Sequence, residues 1–193
     1  AFEILGEDKI LKLTFDQSEA YIANSIRQKN TKHLINYYDV RHVQFNKEIL
    51  DASEEDIENI ENLYVLVMDK VRTLSKSEKV LFDGVADKIR FNKDVDVVES
   101  NMKRRLSRSK KTYNFTQKQA DEFTKDATKI ISDIVNALHE CEKLGLKVTD
   151  IHHNNVGYDS NGDLILFDLS TVGKYNYKDS KSKLKSIEID YEG

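Results

Sequence analysis

Hydrophobic and polar residues alternate near the start of the chain, which is the period of a β-strand. In "FEILGEDKILKLTF" two short runs of this kind flank the residues "GED", and this predicts two strands joined by a turn. In "DQSEAYIANSIRQ" the apolar residues instead form one helical stripe, and Asp16 or Ser18 can cap the segment. We therefore expect a helix directly after the second strand.

Two further runs, "HLINYYDVRHVQF" and "NLYVLVMDKV", are rich in β-branched and aromatic residues, and both predict strands. The acidic run "DASEEDIENIEN" lies between them. It predicts a solvated loop or a short helix, with a partner-binding surface as the alternative.

After Val71 the apolar residues recur at intervals of three and four, as in an amphipathic helix. "SKSEKVLFDGVADKIRF" and "DVDVVESNMKRRLSRSKK" are helical in pattern, and "TQKQADEFTKDATKIISDIVNALHECEKLG" predicts a long helix ended by Gly145. The Asn-Gly turn in "SNGD" introduces the strand "DLILFDL", and the tail "KSIEIDYEG" alternates like a short strand. The order predicts an α+β protein, with a β-rich lobe over residues 1–71 and a helical lobe over residues 72–193.

Composition restricts the class of protein. With 39% hydrophobic and 33% charged residues, the chain is expected to be globular and soluble. The apolar runs are too short to span a membrane and no secretion signal stands at the start, so we expect a cytoplasmic protein without a membrane partner. The single cysteine, Cys141, excludes an internal disulfide framework, and a small helix residue is preferred there over a nucleophile. The absence of proline and the abundance of Lys, Asn, Ile and Asp fit an AT-rich genome, such as that of a bacterium or phage.

The residues with the clearest chemistry lie in "VTDIHHNNVGYDSNGDLILFDLS". Asn155 follows Asp150 by five positions, and Asp168 follows Asn155 by thirteen, at the end of an apolar strand. A hairpin can bring the three side chains to one edge. A carboxylate and an amide oxygen can hold Mg²⁺, and a second carboxylate can accept the proton of an attacking hydroxyl. This is the minimum apparatus for phosphoryl transfer.

This stretch resembles the catalytic loop and metal-binding segment of the protein kinase-like superfamily, which includes aminoglycoside and choline phosphotransferases. The family pattern is an Asp, four residues, an Asn, and then a strand that ends at the Asp of D-F-G, and "DIHHNN…LILFDLS" fits it. The resemblance implies that Asp150 is the catalytic base and that Asn155 and Asp168 hold Mg²⁺. It covers residues 1 to about 173 and implies a bilobal kinase-like fold, truncated relative to typical kinases.

Other stretches resemble the family in the same order. "KILKLT" resembles the strand with the phosphate-binding lysine, which implies that Lys12 binds ATP, and "SEAYIANSI" supplies Glu19 to hold that lysine. "NLYVLVMDKV" resembles the strand and hinge beside the adenine, with a gatekeeper side chain followed by backbone that bonds the adenine edge. The residues implied to bind the adenine are Met68, Asp69, Lys70 and Val71. ATP and Mg²⁺ are thus the implied cofactors.

Each of these residues also has an ordinary interpretation. Lys12 can be a solvent-facing strand lysine, and Glu19 can serve the helix dipole. Asp168 can be a surface carboxylate at a strand end. His152 and His153 invite a zinc site, but no further His or Cys lies at zinc spacing, so a role in supporting the loop is preferred.

The chain departs from the family pattern in several places. The glycine-rich loop over the phosphates is absent, and "AFEIL" looks like the strand that follows it, so we expect the chain to begin after the first strand and loop. Val148 and Thr149 replace the usual His and Arg or Gly, which argues against regulation by a phosphorylated activation loop. Asp168 is followed by Leu169 and Ser170 in place of Phe-Gly, and no A-P-E-like segment follows, so these residues do not specify an acceptor class.

We expect an ATP-dependent kinase that phosphorylates a hydroxyl acceptor. A protein serine or threonine is favoured because the hinge is protein-kinase-like, and a small molecule of the aminoglycoside type remains open. The alternative is a catalytically inactive, kinase-shaped module that binds or inhibits a partner. Residues 103–111 contain six basic residues, which predict either contact with nucleic acid or an acidic partner, or a mobile basic connector between helices.

Overall fold

The computed structural model describes residues 1–29, 31–45, 63–86, 94–112, 116–146, 148, 151–167, 169 and 184–189. Within them the protein is α+β, as the sequence predicts, with a mixed five-stranded sheet, a three-stranded sheet and four helices. The strands are β1 (Phe2–Glu3), β2 (Lys9–Thr14), β3 (Tyr37–Phe45), β4 (Tyr64–Asp69), β5 (Arg72–Thr73), β6 (Val156–Tyr158), β7 (Leu164–Leu166) and β8 (Lys185–Ile189). The helices are α1 (Gln17–Ile26), α2 (Lys76–Ala86), α3 (Val95–Thr112) and α4 (Gln117–Lys143).

The chain divides into two compact units. The sheet unit is drawn from Ala1–Asn30, Asn36–Lys70 and Lys174–Gly193. The helical unit is drawn from Thr31–Ile35 and Val71–Gly173. The short segment 31–35 therefore packs with the helical unit, although the residues on both sides of it belong to the sheet unit.

The sheet unit holds the five-stranded sheet, in the order β1-β2-β4-β3-β8. Neighbouring strands are antiparallel except β8, which runs parallel to β3. The predicted turn between the first two strands is confirmed, and Gly6 there has a φ of 81°, a conformation that glycine adopts without strain. The predicted strand in the tail is confirmed as β8.

Helix α1 packs against this sheet through its apolar stripe, in which Ala20, Ile22 and Ala23 are fully buried. Asp16 is its N-cap, because the Asp16 carboxylate accepts hydrogen bonds from the backbone N–H groups of Ser18 and Glu19. The sequence allowed either Asp16 or Ser18 as the N-cap, and in the structure the N-cap is Asp16.

The helical unit is organised around α4, whose buried face includes Ile130, Ile131 and Ile134. Thr116 and Gln119 form a capping box at its start. Gly145 follows its end with a φ of 72°, which confirms the predicted stop. Because α4 contacts α2, α3 and β7, its buried face forms the centre of this unit.

Strands β6 and β7 form the predicted hairpin, with the Asn-Gly turn at its tip. Gly162 has a φ of 79°, and the Asp159 carboxylate accepts hydrogen bonds from the backbone N–H groups of Asn161 and Asp163. Strand β5 pairs with β6 and completes the three-stranded sheet.

The acidic and the basic segments of the sequence differ in what the structure describes of them. The acidic run at residues 51–62 lies outside the described residues. Residues 103–111 lie within α3, so their interpretation as a mobile connector is wrong. No helix among the described residues is long and apolar enough to span a membrane.

Candidate functional site

A partly buried ion pair joins strand β2 to helix α1. The ammonium Nζ of Lys12 lies 2.5 Å from Oε1 of Glu19. The Lys12 side chain is 25% exposed and that of Glu19 is 3% exposed. Removing a carboxylate from water costs several kcal/mol unless it is paired and hydrogen-bonded. Lys12 is therefore not the solvent-facing strand lysine of the ordinary interpretation. Glu19 lies in the first turn of α1, where it suits the helix dipole, and it also pairs with Lys12.

The pair forms because the connection between β2 and α1 is very short. β2 ends at Thr14 and α1 begins at Gln17. The Thr14 hydroxyl oxygen accepts a hydrogen bond of 3.1 Å from the backbone N–H of Asp16, the N-cap. This tight connection places the first turn of α1 beside the preceding strand, so a glutamate only seven residues after Lys12 can reach it.

Strand β4 carries the predicted gatekeeper, Met68, which is buried. The next residue, Asp69, donates its backbone N–H to the Asn36 carbonyl at 3.1 Å. The Asp69 carboxylate accepts hydrogen bonds from the Asn36 side-chain amide at 2.7 Å and from the Tyr38 hydroxyl at 2.5 Å. The hydrogen bond to this carboxylate raises the pKa of Tyr38 to about 12.

Lys70 is also engaged within the protein. Its backbone N–H donates to the Asp8 carbonyl at 3.0 Å, and its ammonium pairs with Glu3 at 2.9 Å. The amide donors of Asp69 and Lys70 thus serve the fold.

Asn155 lies at the base of the β6–β7 hairpin and is buried. Its backbone N–H donates to the His152 carbonyl at 2.9 Å, which closes a turn. Its carbonyl accepts a hydrogen bond of 2.9 Å from the N–H of Phe167, the residue just before Asp168. The hairpin therefore holds Asn155 against the segment that leads to Asp168. Asp150 and Asp168 themselves lie outside the described residues.

Contacts that the sequence did not reveal tie this loop to helix α2. His153 Nδ1 lies 2.9 Å from Oδ1 of Asp83, and the Lys79 ammonium donates to the Asn154 side-chain oxygen at 3.3 Å. His152 Nδ1 accepts a hydrogen bond of 3.2 Å from the Asn154 backbone N–H. His153 and Asp83 are 70 residues apart in the sequence, so no local pattern pointed to Asp83.

The geometry of the two histidines does not favour a shared metal. Their rings lie 6.3 Å apart, with an angle of 72° between the ring planes. Among the described residues, no group of three or more His, Cys, Asp or Glu side chains is placed to hold a metal ion. Both rings instead make hydrogen bonds that order the loop.

A second unforeseen contact anchors the segment 31–35. The Glu140 carboxylate, on α4, accepts hydrogen bonds from the backbone N–H groups of Lys32 at 3.1 Å and His33 at 3.0 Å. The same segment pairs with β7. The backbone N–H of Leu166 donates to the His33 carbonyl, and the Leu166 carbonyl accepts a hydrogen bond from the backbone N–H of Ile35. These contacts explain why this segment belongs to the helical unit.

The residues after the predicted hinge are held by Arg72. Its guanidinium makes two hydrogen bonds of 2.8 Å to the Glu78 carboxylate and lies 4.9 Å from the centre of the Tyr158 ring. The hydrogen bonds from Arg72 lower the pKa of Glu78 to about 2. Glu78 also accepts a hydrogen bond of 2.7 Å from the backbone N–H of Ser75, at the start of α2.

Cys141 and Arg105 both contribute to packing within the helical unit. Cys141 is buried in α4, and burial raises the pKa of its thiol to about 12, which supports a packing role over a nucleophilic one. In the basic segment, Arg105 donates to the backbone carbonyls of Asp83 and Gly84, and Lys103 pairs with Glu99. Arg105 thus stabilises the packing of α3 on α2.

No protein family, curated protein or solved structure that we compared with this chain matches it.

Proposed function

We propose that the protein is an ATP- and Mg²⁺-dependent phosphotransferase of kinase-like bilobal fold, which transfers the γ-phosphoryl group to a serine or threonine hydroxyl of a protein acceptor. The observation that carries the proposal is the ion pair between Lys12 and Glu19. In protein kinases, a strand lysine pairs with a helix glutamate, and both must be in place for activity.

The burial of this pair supports a functional origin. An apolar pair of similar volume is often as stabilising as a buried ion pair, or more so, and stability alone therefore does not call for Lys12 and Glu19. With its side chain 25% exposed, Lys12 keeps some surface for a phosphate oxygen, while the Glu19 carboxylate orients the ammonium.

The metal would be held by Asn155 and Asp168. The donor set fits, because carboxylate and amide oxygens are the hard ligands that Mg²⁺ accepts, and Asn155 is held to the residue that precedes Asp168. When bound, the ion neutralises charge on the phosphate oxygens.

The remaining roles follow from side-chain chemistry. Asp150 accepts the proton of the acceptor hydroxyl while the hydroxyl oxygen forms a bond to the γ-phosphorus. The bond between that phosphorus and the bridging oxygen breaks, and this oxygen leaves with ADP. Lys12 neutralises phosphate charge during this transfer.

One observation favours a second candidate, a kinase-shaped module that binds a partner without catalysis. The backbone N–H groups of Asp69 and Lys70 are bonded to Asn36 and Asp8, which removes two donors from the predicted adenine-binding segment. A module that binds no nucleotide does not need these N–H groups as donors to an adenine, so they can bond within the protein. The two candidates differ in whether ATP binds.

The test begins with thermal stabilisation by ATP in the presence of Mg²⁺, followed by transfer of radiolabelled γ-phosphate to a protein acceptor. We expect stabilisation and transfer by the wild type, and no transfer by Lys12→Ala or Asp168→Ala while both variants remain folded. Lys9→Ala is the matched control, since Lys9 lies on the same strand and pairs with Glu7 at the surface.

The outcomes separate the candidates. Neither stabilisation nor transfer by the wild type rejects the phosphotransferase and leaves the binding module. Undiminished transfer by Asp168→Ala shows that Asp168 is not a metal ligand. Undiminished transfer by Lys12→Ala shows that the Lys12–Glu19 ion pair does not serve catalysis, and this rejects the proposal.

A further inference from the structure

We propose that Asp83, on helix α2, is a positioning residue for the loop that carries Asn155 and follows Asp150, and that it acts through His153. The inference rests on the proposed phosphotransferase function. Asp83 contacts neither the nucleotide nor the acceptor in this scheme. Its role is to hold the loop in the geometry that transfer requires.

The contact itself is direct. His153 Nδ1 lies 2.9 Å from Oδ1 of Asp83. A carboxylate can only accept, so Nδ1 is the donor, and the bond sets both the tautomer and the orientation of a neutral ring. The two side chains are 32% and 44% exposed, so the bond is of little value for global stability.

The backbone that carries Asp83 is firmly held. Phe82 and Val85, on either side of it in sequence, are buried in the core of the helical unit. Arg105, from α3, donates hydrogen bonds of 3.1 Å to the backbone carbonyls of Asp83 and Gly84. Asp83 is therefore a rigid point from which a loop can be positioned.

Helix α2 makes two contacts with consecutive residues of the loop. Lys79 and Asp83 are four residues apart and so lie on one face of the helix. Lys79 contacts Asn154, and Asp83 contacts His153. The loop is thus held from α2 on one side and by the Asn155–Phe167 hydrogen bond on the other.

Loss of the hydrogen bond between His153 and Asp83 should lower the rate of phosphotransfer more than it weakens nucleotide binding. His153 is two residues from Asn155, so a shift of the loop displaces the predicted metal ligand. Removing groups that orient metal ligands typically costs about 10- to 100-fold in activity or metal affinity. Lys12 and Glu19 belong to the sheet unit and not to this loop, so the KM for ATP should stay within about twofold of the wild-type value.

The experiment compares Asp83→Ala, His153→Ala and the double variant by steady-state kinetics. We expect kcat to fall about tenfold in each single variant and no further in the double variant, because the two residues act as one unit. His153→Asn should recover most of the loss, since its side-chain amide nitrogen is as many bonds from Cα as Nδ1. Glu142→Gln is the matched control, because Glu142 forms an exposed histidine–carboxylate pair with His139 at 3.2 Å in the same unit.

Hydrogen–deuterium exchange of residues 151–155 provides a measurement that does not require activity. Faster exchange in Asp83→Ala than in Glu142→Gln supports the anchoring role, and equal exchange overturns it. Unchanged kcat in the single variants, or losses that multiply in the double variant, also overturn it. If the wild type transfers no phosphate, the proposed function fails, and the exchange measurement still decides whether Asp83 orders the loop.

Discussion

The backbone carbonyl oxygen of Arg72 lies 2.9 Å from the position that a Cβ atom on Gly157 would occupy. The side chain of Val71 approaches the same position to 3.0 Å. This close approach lets β5, which follows the predicted hinge, pair with β6, which follows Asn155. Two parts of the candidate site are therefore joined through a glycine that has no chemistry of its own.

We expect Gly157→Ala to destabilise the protein by about 2 kcal/mol, because the added methyl group collides with backbone that cannot rotate away. Chemical denaturation measures the loss. Gly84→Ala is the control, since a Cβ there meets nothing within 4 Å. In a helix that change should stabilise by about 0.5–1 kcal/mol. Equal stability of Gly157→Ala and the wild type would contradict the close approach.

Lys12 and Glu19 offer a way to separate activity from stability. Lys12→Met leaves the buried Glu19 carboxylate without its cation and should cost about 3 kcal/mol in free energy of unfolding. The double variant Lys12→Met/Glu19→Leu removes both charges and should return to within about 1 kcal/mol of the wild type. Both variants should lack phosphotransfer. A double variant that is less stable than Lys12→Met would show that the pair is needed for the fold.

Glu78 should make the stability depend on acidity. Arg72 lowers its pKa in the folded protein from 4.5 to about 2, so the folded state binds this proton less readily than the unfolded chain. The resulting stabilisation is complete above pH 4.5 and is lost as the pH falls from 4.5 to 2. Because Arg72 is more than half exposed, we expect only about 1 kcal/mol.

The measurement is the difference in unfolding free energy between the wild type and Glu78→Gln across this pH range. The difference should be largest near neutral pH and shrink in acid. Glu122→Gln is the control, because Glu122 is well exposed and lies 3.9 Å from Lys118. A constant difference for Glu78→Gln would contradict the lowered pKa.

Cys141 should resist thiol reagents in the native protein. Burial raises the pKa of its thiol to about 12, so almost no thiolate is present near neutral pH, and the sulfur is also shielded from the reagent. Labelling with a thiol-specific chromogenic reagent should be slow in buffer and rapid in denaturant. Rapid labelling of the folded protein would contradict the burial of the side chain.

The features that the sequence predicted well depend on neighbouring residues. Gly6, Asp16 and Gly145 mark turns or helix ends through local backbone preferences, and the apolar periods between them give the type of each element. The Lys12–Glu19 pair is similarly local, since only a strand end and one helical turn separate the two residues. Periodicity and capping therefore sufficed for the turns and helix ends, whereas the Lys12–Glu19 pair was expected from the resemblance to kinases.

The features that were missed join distant residues. Nothing around Asp83 distinguishes it from other helix carboxylates, and its partner His153 drew attention as a possible metal ligand instead. Glu140 likewise looks like an ordinary helix glutamate, yet it binds the backbone of Lys32 and His33. Such contacts follow from how elements pack, which a single sequence does not show.

The parallel pairing of β8 with β3 has a consequence for biosynthesis. During translation β3 leaves the ribosome long before residues 185–189 are made, so its outer edge stays without this partner until then. An uncovered strand edge can pair with other chains. Nascent chains should therefore be most vulnerable to aggregation during this interval, and chaperone binding or slow-codon placement in that window would bear directly on the yield of folded protein.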